Sequence, residues 1–261
     1  MIRFRTFVFS LLLGVAPILL QSPACAIVNI EQAIIGHPQE GRHSKLDLLA
    51  SGASGNTDKS TVQSNLLTTL QHGAHTEFLQ MQYAYGQSRG QTDTDRAFMH
   101  LRHRTTLSDD WGVEEFFQVG RDTFARLTLR RLLGGGLRRI LFEEPGVMAG
   151  YLGAGAFYEQ EILSAKFGTT DPVDTSLWRA NSYLVLQRQF NEQVRFNNTL
   201  YYQPALANTA NYRILEQASM LVKLGQSLDL KLTLDISYDS LPPQTVERRD
   251  MLYSTGLEFS F

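Results

Sequence analysis

The sequence predicts an all-β fold: a closed antiparallel transmembrane β-barrel of about twelve strands, although ten or fourteen strands would also fit. Three observations lead to this prediction. Apolar and polar residues alternate along much of the chain, the N-terminus carries a short apolar segment, and the chain ends on an aromatic residue, Phe261. Because successive side chains of a strand point to opposite faces, such alternation gives each strand one apolar face and one polar face.

Residues 1–26 are typical of a secretory signal peptide. Two arginines precede an apolar run from Phe7 to Leu20, and small residues close the segment at Ala26. The run is shorter than the roughly 20 apolar residues that a comfortable membrane helix needs, so we expect cleavage and not a membrane anchor. Residues 27–43 would then form an N-terminal periplasmic tail, and residues 44–261 would form the barrel.

Export limits the chemistry of the mature chain. Cys25 is the one cysteine and would leave with the signal, so we expect neither a disulfide nor a cysteine metal site. The signal contains two of the 24 basic residues and none of the 26 acidic ones, so the mature formal charge is 22 − 26 = −4. This near-balance does not suggest a nucleic-acid partner, which calls for clustered basic residues.

The alternation is most regular near the C-terminus, where Leu230, Leu232 and Leu234 interleave with polar or charged residues. Similar segments recur upstream, where the pattern is less regular. Near residues 121 and 139–145 the strand ends are poorly defined. We predict strands at residues 44–53, 60–71, 75–86, 95–107, 112–120, 124–138, 146–160, 177–189, 194–204, 211–224, 228–238 and 250–261.

The connections supply an independent argument for a membrane barrel. Outer-membrane barrels alternate long outer loops with short periplasmic turns. We predict long connections at residues 86–94, 162–176, 204–211 and 239–249, and short ones at 72–74, 190–193 and 225–227. An even strand count would leave both termini in the periplasm, and the cell outer membrane is the predicted location.

The final strand carries a candidate assembly signal. Its polar-x-Gly-x-x-aromatic-x-aromatic order resembles the C-terminal signal by which bacterial barrel assembly machinery recognises its substrates. The residues concerned are Tyr253, Gly256, Phe259 and Phe261. We therefore expect two partners, the assembly machinery during biogenesis and outer-membrane lipid afterwards.

Aromatic residues near predicted strand ends would face lipid and form interfacial girdles. They are Tyr85, Trp178, Tyr202, Tyr212, Tyr238 and Phe261. The alternative is the core of a soluble β-sandwich, which would explain the alternation but neither the terminal Phe nor the rhythm of the connections.

Charged residues on the polar faces would point into the lumen, because an arginine facing lipid at mid-bilayer costs about 2–4 kcal/mol. The candidate lumen charges are Arg96, Arg102, Arg126, Arg130, Arg179, Arg195, Arg213, Lys231, Asp229, Asp235 and Glu258, with Asp47 and Glu114 beside them. Pairing among them would fill the interior. A narrow channel with a mild preference for anions is the alternative, since basic residues outnumber acidic ones. Open porins use about 16–18 strands, which favours a mostly occluded lumen here.

Candidate catalytic and metal-binding residues are few. Ser54 lies in a glycine-rich turn with the wrong spacing and context for a nucleophile elbow. His100 and His103 would lie on opposite faces of a strand, so they cannot share a metal. His72 and His75 flank a predicted turn and could approach each other, although solvated turn residues are the favoured interpretation. We expect no catalytic residues, no metal and no cofactor.

Four stretches resemble the putative salt-induced outer membrane proteins, the YdiY-like family catalogued as domain of unknown function 481. They are Ser51 to Asp58, Arg131 to Leu137, Tyr202 to Leu206, and the closing order of Asp239, Pro242-Pro243, Asp250 and the terminal Phe. The resemblance implies an outer-membrane barrel without an agreed activity or a transferable catalytic set. One departure is Arg138-Arg139, where relatives tend to run Gly-Leu-Gly-Tyr, and it leaves the register of that strand open.

The sequence thus favours a monomeric, non-catalytic outer-membrane barrel with a structural or stress-related role. A narrow channel or transporter for small solutes is the second hypothesis. An outer-membrane hydrolase and a soluble periplasmic β-sandwich are the remaining alternatives.

Overall fold

A computed structural model describes residues 40–55 and 58–260, and within them the chain forms twelve β-strands. The strands are β1 Gly41–Ala53, β2 Lys59–His72, β3 His75–Ser88, β4 Gln91–Thr106, β5 Trp111–Asp122, β6 Leu127–Glu144, β7 Met148–Leu163, β8 Asp174–Gln189, β9 Val194–Pro204, β10 Tyr212–Lys223, β11 Leu228–Asp239 and β12 Arg249–Ser260. In this part of the chain, no helix has the length and apolar character to cross a bilayer. The predicted signal peptide lies outside the described residues.

Each strand pairs antiparallel with its neighbours in sequence, and β12 pairs with β1, so the sheet closes into a barrel. Side chains alternate between lumen and outer surface. On β11, for example, Leu232 and Leu234 face outward and are 40% and 37% exposed, whereas Asp229 and Ser237 point inward and are buried. The predicted fold class is confirmed. An outward apolar face combined with a polar interior excludes the sandwich core, in which these leucines would be buried.

Several strand limits differ from the predicted ones. β6 extends to Glu144 and β7 to Leu163. The register of this pair shifts between Ile140 and Phe142 and between Leu127 and Leu129, which face those ends, so the alternation from which strand limits were predicted is broken there. β1 begins at Gly41, three residues before the predicted limit between tail and barrel. The predicted strands near the C-terminus match most closely, since their alternation is regular.

The predicted long connection at residues 86–94 is wrong. β3 and β4 continue to a two-residue turn of Arg89 and Gly90, both with positive φ (52° and 74°). Such turns match the right-handed twist of a hairpin. Long loops cluster at one end of the barrel in the second half of the chain, at residues 164–173, 205–211 and 240–248. We call this the loop end, and the opposite end, with turns such as 73–74 and 145–147, the turn end.

The wall is most tightly packed where β6, β7 and β8 meet. A Cβ atom on Gly155 would lie 2.1 Å from the carbonyl oxygen of Gly135, and one on Gly153 would lie 2.0 Å from the ring of Tyr183. These glycines therefore allow close backbone approach and leave room for an aromatic ring against the wall.

The closing seam is short. Among the described residues, β1 and β12 pair at Lys45, Leu46 and Asp47 alone, opposite Ser260, Phe259 and Glu258. By contrast, β1 and β2 pair along the whole of Gly41–Ala53. β1 and β12 are thus joined by far fewer paired residues than other neighbouring strands, and these residues lie toward the turn end.

Candidate functional site: the barrel lumen

The lumen has two sectors of different character. The packed sector comprises the inward faces of β3 to β9, and the polar sector comprises those of β10 to β12, β1 and β2. Among the described residues, every buried apolar side chain except Leu67 and Leu221 belongs to the packed sector or its loop-end border. The function of the barrel depends on how these sectors divide the interior.

The structure places the predicted lumen charges as follows. Arg96, Arg102, Arg130, Arg179, Arg195, Arg213, Lys231, Asp229, Asp235 and Glu258 all lie on inward-facing positions, as do Asp47 and Glu114. Arg126 differs, because it lies in the turn before β6 with a φ of 60° and not on a lumen-facing strand position.

A carboxylate in the packed sector gathers arginines from three strands. Glu159 on β7 accepts hydrogen bonds from Arg130 on β6, from Arg179 on β8 at 2.7 Å and from Arg213 on β10 at 2.7 Å. Arg213 also donates to Glu161 at 2.9 Å and to Asp239 at 2.7 Å. Since β7 and β10 are not neighbours, the bonds from Arg213 to Glu159 and Glu161 cross the lumen.

A second buried carboxylate lies in the same sector, closer to the turn end. Glu114 on β5 accepts from Arg104 at 2.6 Å and from Arg102 at 3.4 Å. It also accepts from the Tyr183 hydroxyl on β8 at 2.6 Å, across two intervening strands. Buried charges are tolerated when they are paired and hydrogen-bonded in this way. The two clusters therefore fasten together parts of the wall that lie three strands apart.

Aromatic rings fill the space between the clusters. The apolar core consists of Phe116, Leu132, Ala149, Tyr151, Phe157, Tyr183, Val185 and Tyr201, all pointing into the lumen. The Phe116 and Phe157 rings meet edge to face with centroids 6.3 Å apart, and Tyr183 lies 5.3 Å from Tyr201. Arg138 lies over the Tyr151 ring at 3.7 Å. This half of the lumen is thus closed by side chains.

The polar sector carries smaller and more exposed inward residues. Lys231 bridges Glu258 at 2.8 Å and Asp47 at 3.4 Å, and Arg195 pairs with Asp229 at 2.8 Å. Closer to the loop end, Thr233 and Ser254 share a hydrogen bond of 2.6 Å between exposed hydroxyls. Arg195 lies on β9, at the border with the packed sector. Apart from those of Arg213 on β10, the ion pairs of the polar sector join nearby strands of the wall, so they leave the middle of the lumen uncrossed.

Arg126 ties three connections together over the loop end of the packed sector. It donates to Asp171 at 2.6 Å, to the Gln244 carbonyl at 2.7 Å and to the Ser164 carbonyl at 3.1 Å. The Gln244 backbone N–H donates in turn to Asp171 at 3.0 Å. Hydrogen bonds from this N–H and from Arg126 lower the pKa of Asp171 below its usual 3.8, because they stabilise the charged form.

Sequence reasoning missed Glu159, Glu161 and Arg104 as lumen residues. On β7 the inward positions include Gly153, Gly155 and Phe157, so the face that holds Glu159 does not look polar. The available signal was the strict period-two spacing of Glu159 and Glu161 in a strand with apolar residues elsewhere. Tyr183 was placed on the correct face, but its partner Glu114 lies three strands away and no local pattern indicates it.

The outer surface carries the predicted aromatic residues. Trp178 contacts Tyr158 with ring centroids 5.6 Å apart, and the Tyr202, Tyr212 and Tyr238 rings follow one another at 5.8 Å. All lie toward the loop end. At the turn end, Arg139 lies over the outward-facing Trp111 ring at 5.4 Å. Arg138 faces inward and Arg139 outward, which settles the register that the sequence left open.

The residues of the candidate assembly signal have the expected alternation where they are described. Tyr253 and Phe259 face outward and are exposed, and Gly256 faces inward, where a Cβ atom would meet no other atom within 4 Å. Phe261 lies outside the described residues. Ser54 is exposed in the loop-end connection between β1 and β2. Among the described residues, no three His, Cys, Asp or Glu side chains form a metal-binding group.

Solved structures of similar fold include outer-membrane proteins. The translocator domain of autotransporter NalP from Neisseria meningitidis matches with a TM-score of 0.50 and 10% identity, over 86% of this chain and 89% of that one. The NanC porin matches with a TM-score of 0.50 and 9% identity, over 83% and 98%. At these identities the likeness concerns the fold alone. No curated protein matches the sequence.

The family comparison covers most of the chain. The model of the family described as "Protein of unknown function, DUF481" matches residues 47–261, which include all but the start of the barrel. The match agrees with the resemblance carried by the glycine-rich turn, the triple glycine and the closing strands. The chain belongs to the DUF481 family.

Proposed function

We propose that the protein is a monomeric, non-catalytic β-barrel of the bacterial outer membrane with a structural role, in which side chains occlude much of the lumen. The observation that carries the proposal is the pair of bonds between strands three places apart, from Arg213 to Glu159 and from Tyr183 to Glu114, whose acceptors both lie in the packed sector. A barrel whose wall is fastened to itself in this way is rigid and leaves little room for a solute on that side.

An outer-membrane position follows from the two faces of the sheet. The outward face is apolar and bears aromatic residues toward both ends, which suits lipid and its interfaces. The protein should fractionate with outer membranes and migrate faster on gels when unheated than when boiled. Release into the periplasmic fraction without detergent would contradict this position.

Single-channel recording tests the occlusion. The purified protein in planar bilayers should give no conductance or a small one, far below that of an open porin. A large, stable conductance from the unmodified protein would overturn the proposal.

A narrow path for small solutes is the second candidate, and the polar sector favours it. Thr233 and Ser254 line that side with small, exposed hydroxyls, and Gly256 leaves its position empty. If the path conducts, Ser254→Trp should block it, because the new side chain would project into the lumen. Thr255→Trp on the same strand projects toward lipid and is the matched control.

We also propose that the last strand serves as the assembly signal. Tyr253 and Phe259 present outward aromatic rings on β12. Replacement of Phe261 by Ser should lower the amount of folded barrel in the membrane without changing the stability of the molecules that do fold. An equal yield of the variant and the parent would contradict this role.

A further inference from the structure

A group of ionisable side chains lies on the outer surface at the turn end and takes no part in the lumen. Its members are adjacent on four strands: His72 pairs with His75, Glu77 pairs with His103, and His103 pairs with Glu115. They face outward because they alternate with inward residues such as Phe78, Arg102 and Arg104. The approach of His72 and His75 that the sequence suggested is present as a cross-strand pair, and the His75 ring in addition contacts His103 across β3 and β4.

Three donor atoms in this group form a nearly equilateral triangle. His75 Nδ1 lies 3.3 Å from His103 Nε2, and the Thr105 hydroxyl oxygen lies 3.2 Å from the first and 3.0 Å from the second. Two imidazole nitrogens at about 2.0–2.1 Å from a tetrahedral metal ion would be about 3.3 Å apart. The spacing of the two nitrogens already has this value.

The distance between the two imidazole rings also matches that expected for a shared metal ion. Two imidazoles bound to one tetrahedral ion, with bonds of the same length, would have centroids about 5.2 Å apart. The observed centroid separation of His75 and His103 is 5.3 Å. The two rings therefore already have the separation of a chelating pair, with 26° between their planes.

A carboxylate contacts the second ring nitrogen of His103. Glu77 Oε1 lies 3.4 Å from His103 Nδ1, the nitrogen opposite the one in the triangle. Metal-binding histidines commonly direct their second nitrogen to a carboxylate, which fixes the tautomer and makes the ligating nitrogen more basic. Glu115, opposite His103 on β5, adds negative charge that would attract a cation.

We propose that His75 and His103 bind a divalent transition-metal ion of the Zn²⁺, Cu²⁺ or Ni²⁺ class at the outer turn-end surface, with Glu77 as a positioning residue. Imidazole nitrogen suits these ions. Since no third His, Cys, Asp or Glu of the described chain converges on the pair, water completes the coordination. Both histidines and Glu77 are at least one-third exposed, so an ion can enter directly from solvent.

The test uses the protein purified in detergent from outer membranes, without a histidine tag. Calorimetric titration with Zn²⁺ should give one equivalent bound per chain, and the electron paramagnetic resonance spectrum with Cu²⁺ should show coupling to two nitrogens. His75→Ala and His103→Ala should each weaken binding at least about tenfold, and Glu77→Gln should weaken it less while keeping both nitrogens. Heat-modifiable migration shows that each variant remains folded.

His43→Ala is the matched control, since His43 is an exposed histidine near the same end of β1. It should leave Zn²⁺ affinity and the Cu²⁺ spectrum unchanged. The proposal fails if the parent binds neither ion, if folded His75→Ala and His103→Ala variants bind as tightly as the parent, or if His43→Ala abolishes binding equally. In each case the triangle is a hydrogen-bonded group that includes the Thr105 hydroxyl.

Discussion

The packed and polar sectors belong to one sheet but fill their shares of the lumen differently. In the packed sector, Glu159 accepts from Arg213 and Glu114 accepts from Tyr183, each on a strand that is not a neighbour, with aromatic rings between the two carboxylates. In the polar sector, Lys231 and Asp229 form ion pairs with nearby strands, and small residues such as Ser254 face the lumen. Closure of a barrel therefore does not require a uniform interior.

The largest expected difference between the sectors comes from removal of a carboxylate. Glu159→Gln leaves Arg130, Arg179 and Arg213 without their shared anion in a buried site. Breaking a buried pair in this way costs about 3–5 kcal/mol. Urea unfolding in lipid vesicles should show this loss in the free energy of unfolding.

Asp235→Asn is the counterpart in the polar sector. Asp235 faces Gln217 across the β10–β11 ladder, and no described arginine is bonded to it in an ion pair. We expect a change of about 1 kcal/mol or less. Equal losses for the two variants would show that the sectors do not differ in how charge supports the wall.

A smaller difference is expected from added volume. Gly153→Ala would push the Tyr183 ring from the wall and strain its bond to Glu114, at a cost of about 1–3 kcal/mol. Gly256→Ala meets no atom within 4 Å, and should change the free energy of unfolding by about 0.5 kcal/mol or less. Urea unfolding measures both, and a Gly153→Ala variant as stable as the parent would contradict tight packing at β7 and β8.

Hydrogen exchange should separate the sectors without a substitution. Backbone amides of β12 beside the short seam should exchange about tenfold faster than those of central β7, because fewer neighbouring rungs hold them. Mass spectrometry of the folded protein in detergent gives both rates. Slower exchange in β12 than in β7 would mean that the β1–β12 seam is more stable than its few paired residues indicate.

The smallest expected effect is that of pH at the loop end. Because the pKa of Asp171 is lowered in the folded protein, its bonds stabilise the loops above the usual value of 3.8 and are lost as pH falls through the lower folded value. Protection of the Gln244 amide, measured by NMR, should stay constant from pH 7 to about 4 and decline below that. Asp171→Asn should show reduced protection throughout, and a decline already near pH 6 would point to another titrating group.

Much of the fold could be predicted because it depends on local alternation. The limits of β9 were predicted as residues 194–204 and those of β11 as 228–238, within one residue of the structure. Prediction failed at the ends of β6 and β7, where register shifts break the alternation, and at Arg89-Gly90, where polar residues continue the strands into a tight turn. Polar composition alone does not distinguish a long loop from a hairpin.

The lumen was predictable as a set of residues but not as a set of contacts. The alternation assigns Arg213 to the inward face, yet its partner Glu159 lies on a strand three places away in the ring. That contact depends on the curvature and stagger of the closed sheet, which no short window of sequence contains. The contact of His75 with His103 on the next strand likewise goes beyond its predicted approach to His72 at the turn.

The short junction of β1 and β12 has a mechanical consequence. A ring under lateral tension yields at its weakest joint, and here that joint unites the first and last strands at Lys45, Leu46 and Asp47. The ion pairs of Lys45 and Lys231 with Glu258 lie beside these three residue pairs and reinforce the junction. Thermal opening of the barrel should therefore begin between β1 and β12 at the loop end, where their described residues are not paired, and should stop at the ion pairs of Glu258.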